Sequence, residues 1–313
     1  MAQELDPKKV CFFERLIRLV GLEGFHKLEN VHVAIVGIGG VGSWASEALA
    51  RSAVGRLTLV DFDTVNPSNI NRQLPCLHST IGQSKAEVMA TRLRQINPWA
   101  KIEALKLVYS PTTAEKFWQI KPDLVLDCID NITYKCHLLN YAREHKIAIV
   151  TSTGAGGKMD PTRIKVCDLS NTKVDPMALR IRKKLRRDYA FPSNKSFHIP
   201  AVYSEEDPIK PFEADWSSLL DKICSEEEVV KSASASVAEY EDDDIYEDVE
   251  NFISGQGRHA PPCGTSSFVT GAFGLAAAQQ IVKLVLQAPL GAESFLPCLK
   301  SEKYPTQKKQ NTI

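Results

Sequence analysis

Between Val31 and Ser43 the chain reads VHVAIVGIGGVGS. Val31 to Val36 is a run of β-formers of a length suited to a buried parallel strand. It breaks into four glycines, Gly37, Gly39, Gly40 and Gly42, and then enters a helix-forming segment from Ser43 to Arg51. Strand, glycine turn and helix N-terminus in succession form a phosphate cradle: the glycines allow a tight turn and a close backbone approach, and the first helical N–H groups point at an anion. The glycine pattern is common to dehydrogenases and to nucleotide-triphosphate enzymes, so by itself it leaves the nucleotide open.

The 313 residues, 43% of them hydrophobic and 24% charged, have ample length for a large core. Thirty-eight basic and 38 acidic side chains sum to a formal charge of +0, which removes any global polyelectrolyte signal while permitting opposed patches. Eight cysteines (Cys11, Cys76, Cys128, Cys136, Cys167, Cys224, Cys263 and Cys298) are scattered with no CxxC pair. That spacing disfavours a disulfide framework and a four-thiolate zinc site, and suits a reducing compartment. The first residues, MAQELDPKKVCFFERL, carry early acids and no long apolar stretch, unlike a signal or transit peptide.

Cys11 to Leu28 has apolar residues at helical spacing interrupted at Gly21 and Gly24, which predicts one or two short helices. Arg15 and Arg18, three apart, share a face that a solvated basic surface explains equally well. Leu57 to Val60 is a second strand ending in Asp61, nineteen positions beyond Gly42, where dinucleotide-type folds place the acid that binds ribose. A polar, turn-rich stretch, Asp61 to Leu74, follows at that strand's carboxyl end. Gly82 to Ile96 is a helix opening at Gly82 or Ser84, with Lys85 in its first turn.

Further strands are expected over Ala100 to Val108, over DLVLDCIDN with a polar end at Asp127 to Asn131, and over Ile147 to Thr151, with helices near Ile120 and from Tyr134 to His145. This alternation predicts an α/β fold, a Rossmann-like, mostly parallel sheet with helices on both faces. The glycine turn, Asp61, the Asn69–Arg72 loop and Asp130 then all fall at strand carboxyl ends, where ligands bind. Thr153 to Asp168 reads as a glycine turn followed by a hairpin strand, giving an antiparallel extension.

Asp175 to Tyr189 opens with an Asp N-cap and Pro176 at the first helical position. Its cations, Arg180, Arg182, Lys183, Lys184, Arg186 and Arg187, with Lys195 beyond, suit an anion-binding surface or a solvated face. Lys158, Arg163 and Lys165 are secondary candidates for the same surface. From about Asp215 to Asp248 the composition turns Ser-rich and acidic, as in a disordered insertion. Phe268 to Leu286 is apolar with many small residues, marginal as a membrane span and better suited to a closely packed core helix. The expected organisation is an N-terminal helical arm (1–30), a nucleotide-binding domain (31–210) with the basic helix at 175–190, an acidic insertion (211–258), a C-terminal part of the fold (259–295) and a tail (296–313).

GIGGVGSWASEALARSAVGRLTLVDFDTVNPSNINRQ, followed by GQSKAEV and DCIDN, resembles the adenylating enzymes related to ubiquitin-activating enzyme, the ThiF/MoeB/HesA type. Within them DPTRIKVCDLSNT, DPMALRIRKKL and IPAVYSEEDP resemble the tRNA threonylcarbamoyladenosine dehydratases. The likeness covers most of the chain apart from the acidic insertion and the termini. It implies ATP-dependent activation of the threonyl carboxylate of threonylcarbamoyladenosine, near the anticodon, followed by intramolecular ring closure.

By the same resemblance Gly37, Gly39, Gly40 and Gly42 cradle phosphates and Asp61 binds the ribose. Asn69, Arg72 and Lys85 contact ribose or triphosphate, and Asp130 ligates Mg2+. Asp63 assists or fixes its loop. An arginine, Arg18 rather than Arg15, reaches the γ-phosphate across a homodimer. No structural zinc is expected. The basic helix would meet tRNA. Cys224 and Cys263 are candidates for an exposed reactive thiol, as conjugating relatives use, whereas Cys76 and Cys128 read as structural; ring closure does not require a thiol. The implied location is cytoplasmic, with the mitochondrial outer membrane as the alternative suggested by fungal relatives. The competing readings are an activator of a ubiquitin-like or sulfur-carrier protein, which predicts an exposed catalytic cysteine and usually CxxC pairs, and a silent partner subunit, which predicts loss of Arg72, Lys85 or Asp130. An NAD-dependent oxidoreductase would have no use for these three.

Overall fold

The computed structural model describes residues 6–212 and 263–288. The acidic stretch, Cys224 and the C-terminal tail lie outside the described residues. Seven strands, β1 (His32–Val36), β2 (Arg56–Val60), β3 (Lys101–Leu105), β4 (Leu124–Asp127), β5 (Ala148–Ser152), β6 (Ile164–Asp168) and β7 (Pro200–Ser204), form one sheet in the order β3-β2-β1-β4-β5-β7-β6. Every pairing is parallel except β6 with β7. The order reverses between β1 and β4, so the carboxyl ends of those strands flank the crevice where such sheets bind nucleotides.

Side-chain alternation sorts each central strand between two layers. Val33 and Ile35 of β1, Leu57 and Leu59 of β2, and Leu124 and Leu126 of β4 face one core with α2 (Gly42–Arg51), α3 (Lys85–Ile96) and α7 (Ser267–Gln287). Ala34, Val36, Val60 and Val125 face the other, with α4 (Ala114–Trp118), α5 (Ile132–Glu144) and α6 (Pro176–Asp188). Helix α1 (Pro7–Glu29) starts from an Asp6 cap and breaks at Gly21, whose φ of 74° leaves the helix, while Gly24 remains helical.

Two expectations change in detail, and a third, the core-helix reading of the apolar segment, holds. The third strand is Lys101–Leu105, shorter than Ala100 to Val108. Strand β6 exists, but its antiparallel partner is β7, which arrives after α6 and not through a tight hairpin. The apolar segment after the insertion is long and apolar enough to cross a membrane by length and composition. It is nevertheless a core helix: Val269, Phe273, Ala277, Ile281 and Leu284 are fully buried, and Gly271 and Gly274 lie against Trp44 of α2.

Candidate active site

Beyond the carboxyl ends of β1, β2, β4 and β5 lies a cavity of about 820 Å3. The turn after β1 forms one wall. Gly37 has a φ of +92°, and a Cβ there would lie 2.8 Å from the Cys128 carbonyl oxygen, so only glycine holds this turn without strain. Gly39 and Gly40 line the cavity. Gly42 does not: a Cβ on it would meet the Gly37 carbonyl oxygen at 1.8 Å, so its role is to let helix α2 close against the turn.

Asp61 ends β2 and is almost completely buried. Its carboxylate accepts from the Ile38 amide (2.6 Å) and the Asp63 amide (2.8 Å), which joins the glycine turn to the loop after β2. Burial raises its pKa to about 6, against the opposing pull of Lys85. Lys85, at the start of α3, is also buried and lies 2.6 Å from Asp63. Burial disfavours its ammonium, but Asp61 and Asp63 outweigh that and raise its pKa.

The loop after Asp63 is ordered by its own side chains. Asn66 and Asn69 cap the short 3-10 turn Pro67–Asn69 reciprocally, so the Asn69 oxygen is occupied by the Asn66 amide. Arg72 is half-buried and donates through Nη1 to the Ser68 carbonyl and to Asn71, both at 2.9 Å. Burial lowers its pKa, yet the guanidinium stays charged at neutral pH. Trp44 of α2 donates to the Arg72 carbonyl, fixing the loop to the helix that carries the glycine turn.

Asp130 is exposed on the opposite wall, after β4. Beneath it lies a group of residues that the sequence did not single out as a site. Lys135 and Asp127, both with fully buried side chains, are 2.6 Å apart. The Thr151 hydroxyl donates to the same carboxylate oxygen at 2.7 Å, and the other oxygen accepts from the Ile129 amide. The available signal was Lys135 itself, on the apolar stripe of α5 with Leu138, Leu139 and Ala142. A second buried pair, Lys158–Asp175 at 3.0 Å, lines the cavity farther along. Lys158, a secondary candidate for an anion-binding surface, is 3% exposed and is therefore withdrawn from that role; its ammonium also donates to the Gly154 carbonyl. Arg163 donates to the Glu205 carbonyl, and Lys165 is exposed on β6.

The cavity thus gathers Gly37, Gly39, Gly40, Asp61, Asp63, Asn69, Arg72, Lys85, Asp130, Arg180 and Cys263. It does not gather Gly42, Arg15, Arg18, Lys195 or the rest of the basic helix. Arg18 is exposed and paired with Glu14 on its own helix, 2.6 Å away. On α6, buried Ala178, Ile181 and Leu185 turn the cations outward, but Lys184 and Arg187 pair with Asp188. Arg182 donates to Thr172, Arg186 lies over the Phe197 ring, and Lys183 is exposed. Cys76 is buried with its thiol on the Asn66 carbonyl, and burial pushes the Cys128 thiol up to about 12, so neither is a nucleophile. Among the described residues no group of three or more His, Cys, Asp or Glu side chains could hold a metal ion.

The ThiF family model matches residues 13–311. Over 196 residues, 62% of this chain and 75% of the relative, the chain is 43% identical to the tRNA threonylcarbamoyladenosine dehydratase of Haemophilus influenzae. It is 43% identical over 197 residues to the enzyme of the same name from Bacillus subtilis, covering 63% of this chain and 76% of that one. The fold superimposes on a crystal structure of the E. coli tRNA N6-threonylcarbamoyladenosine dehydratase TcdA in complex with ATP, with a TM-score of 0.72 and 31% identity, over 91% of this chain and 97% of that chain.

Proposed function

The chain belongs to the ThiF family, and from that premise we propose how its cavity performs the chemistry of an ATP-dependent tRNA threonylcarbamoyladenosine dehydratase. The observation that carries the proposal is the convergence of Arg72, Lys85 and Asp130 over a glycine turn at the point where the strand order reverses. A carboxylate is a poor electrophile because its charge repels nucleophiles and oxide does not leave. In the first step the threonyl carboxylate forms an O–P bond to the α-phosphorus of ATP, and the α–β bridge breaks with its electron pair going to pyrophosphate. In the second, a nitrogen of the same side chain forms an N–C bond to the activated carbonyl and gives up its proton. The C–O bond breaks and AMP leaves with the pair. The tethered nucleophile needs little catalytic help, since proximity replaces a bimolecular encounter.

The protein's share is then positioning and charge. Gly37, Gly39 and Gly40 line the phosphate cradle. Asp61 has two N–H partners and room for a ribose hydroxyl on its remaining lone pairs. Lys85 and the unused part of the Arg72 fork face charge building on the phosphates. Asp130 accepts no hydrogen bond from a described residue, and a lone carboxylate beside a triphosphate is the donor set that Mg2+ uses together with phosphate oxygens and water. Asp130 would hold that ion, which when bound neutralises phosphate charge. Arg18 or Arg15 would complete the γ-phosphate site from a second copy, which makes the working form a homodimer. Lys183 and Lys195, both exposed, are the open cations of the tRNA face. The chain would meet its tRNA in the cytoplasm. Because α7 is committed to the core, attachment to the mitochondrial outer membrane would require another segment.

The test is to incubate the protein with ATP, magnesium and tRNA carrying threonylcarbamoyladenosine, and to weigh the nucleosides. Loss of one water from the modified adenosine, with release of AMP and pyrophosphate, is expected. ATP–pyrophosphate exchange that requires a ubiquitin-like protein and ignores tRNA would overturn the reading.

A further inference from the structure

Arg180 differs from the cations that follow it on α6. Arg182, Lys184, Arg186 and Arg187 are each engaged by the protein's own groups. Arg180 is exposed, and it lines the cavity together with Met177 of the same helix.

The turn that presents it is firmly anchored. One oxygen of Asp175 caps α6 by accepting from the Ala178 amide at 2.8 Å. The other accepts from the Thr153 hydroxyl (2.8 Å) and the Lys158 ammonium (3.0 Å), and Lys158 in turn holds the Gly154 carbonyl at 2.8 Å. The stretch after β5 and the first turn of α6 are therefore one rigid unit, cross-linked by a buried ion pair. In the sheet β5 lies two places from β1, about 10 Å at the usual spacing of parallel strands. The compartment walled by Gly154, Met177 and Arg180 is thus displaced from the glycine turn, toward β5 and away from Lys85 and Arg72 on the β2 side.

We propose that this compartment receives the acyl arm of the modified adenosine, and that Arg180 binds its carboxylate before adenylation. The inference rests on the dehydratase reading above and deepens it. A carboxylate must approach an α-phosphate of the same charge, and at about 4 Å such repulsion is substantial even at an effective dielectric near 20. A guanidinium offers a carboxylate two parallel N–H donors in a fixed plane, which sets its orientation as well as compensating its charge. Once the O–P bond forms the carboxyl group is no longer an anion, so the contact weakens and leaves the carbonyl free for ring closure. Arg180 acts on the substrate's ground state and on the direction of its attack.

Two tRNAs that differ only in the threonylcarbamoyl group separate this role from a backbone phosphate contact. Their affinities are measured for the wild type, Arg180→Gln and Arg180→Lys, with ATP affinity as a check on the fold. The wild type should prefer the modified tRNA by at least about tenfold, the value of one hydrogen bond between charged groups. Arg180→Gln should abolish that preference while leaving affinity for the unmodified tRNA within about twofold, and Arg180→Lys should keep part of it. Equal weakening of both tRNAs by Arg180→Gln would overturn the inference, as would a wild type with no preference. A wild type that discriminates between the tRNAs yet removes no water would instead overturn the dehydratase reading and leave the carboxylate site standing.

Discussion

The Lys85 ammonium lies 2.6 Å from the Asp63 carboxylate, in the lining of a cavity that also holds a second carboxylate, Asp61. Without a nucleotide these two acids balance the charge of Lys85; with one, the phosphates compete for it. Lys85→Met should lower the single-turnover rate of AMP and pyrophosphate release by about 10^2 to 10^3, the usual cost of losing one group that stabilises developing charge. Asp63→Asn leaves Asp61 beside the ammonium and should cost tenfold or less, on the order of one weakened charged hydrogen bond. Equal losses in the two variants would mean that Asp63 is itself part of the phosphate machinery and not only the holder of Lys85.

Asp61 gives the site a pH dependence of definite sign. Its carboxyl is raised to about 6 by burial, and only the ionised form can accept from a ribose hydroxyl while keeping its two N–H partners. ATP affinity should therefore fall as the pH drops through 6. At pH 5.5 about a quarter of the sites remain ionised, so the loss relative to pH 7.5 is about fourfold. Equilibrium titration of ATP at the two pH values measures it. ATP titrates as well, so Asp61→Asn serves as the reference, and the fourfold difference should be missing from it.

The strand, the glycine turn and helix α2 were legible because each is a local pattern: a β-branched run, a φ that only glycine tolerates, a helix start. Helix α6 was legible for the same reason, through Asp175 and Pro176. The pairing of β6 with β7 was not, because Cys167 and Ala201 meet only after α6 has intervened. The burial of Lys158 and Lys135 is not legible in the sequence, since a lysine reads as surface until its buried partner is placed beside it. The basic helix read as one surface because sequence order conceals rotation. At 100° per residue its cations spread around the axis, and Arg180 alone among them reaches the cavity, while four others meet groups of the fold.

His32, at the start of β1, ties stability to pH. It is 6% exposed, its Nε2 lies 2.9 Å from the Thr58 hydroxyl, and burial, aided by Arg56, lowers its pKa to about 4. A depressed histidine contributes stability that is complete above its unfolded value near 6.5 and is lost as the pH falls toward 4. Between pH 7.5 and 5 this amounts to about 2 kcal/mol. Urea unfolding of the wild type and of His32→Gln at both pH values should show the variant losing about 2 kcal/mol less over that interval.

Lys135 and Asp127 test whether the floor under Asp130 is structural or catalytic. Both side chains are fully buried and 2.6 Å apart, and Asp127 also accepts from the Ile129 amide, which sets the path of the chain toward Asp130. Removing one partner leaves an unpaired charge in the core: Lys135→Met should destabilise the protein by about 3–5 kcal/mol, and Asp127→Leu by a similar amount. Replacing both with apolar groups removes the charge problem, so the double variant should recover most of that stability. It would not restore the Ile129 amide's partner or the Thr151 contact. The double variant should therefore unfold near the wild-type denaturant midpoint yet dehydrate tRNA at least about tenfold more slowly, since small misplacements of a positioned group are costly in rate. A double variant with both wild-type stability and wild-type rate would mean that the orientation of Asp130 does not depend on this network.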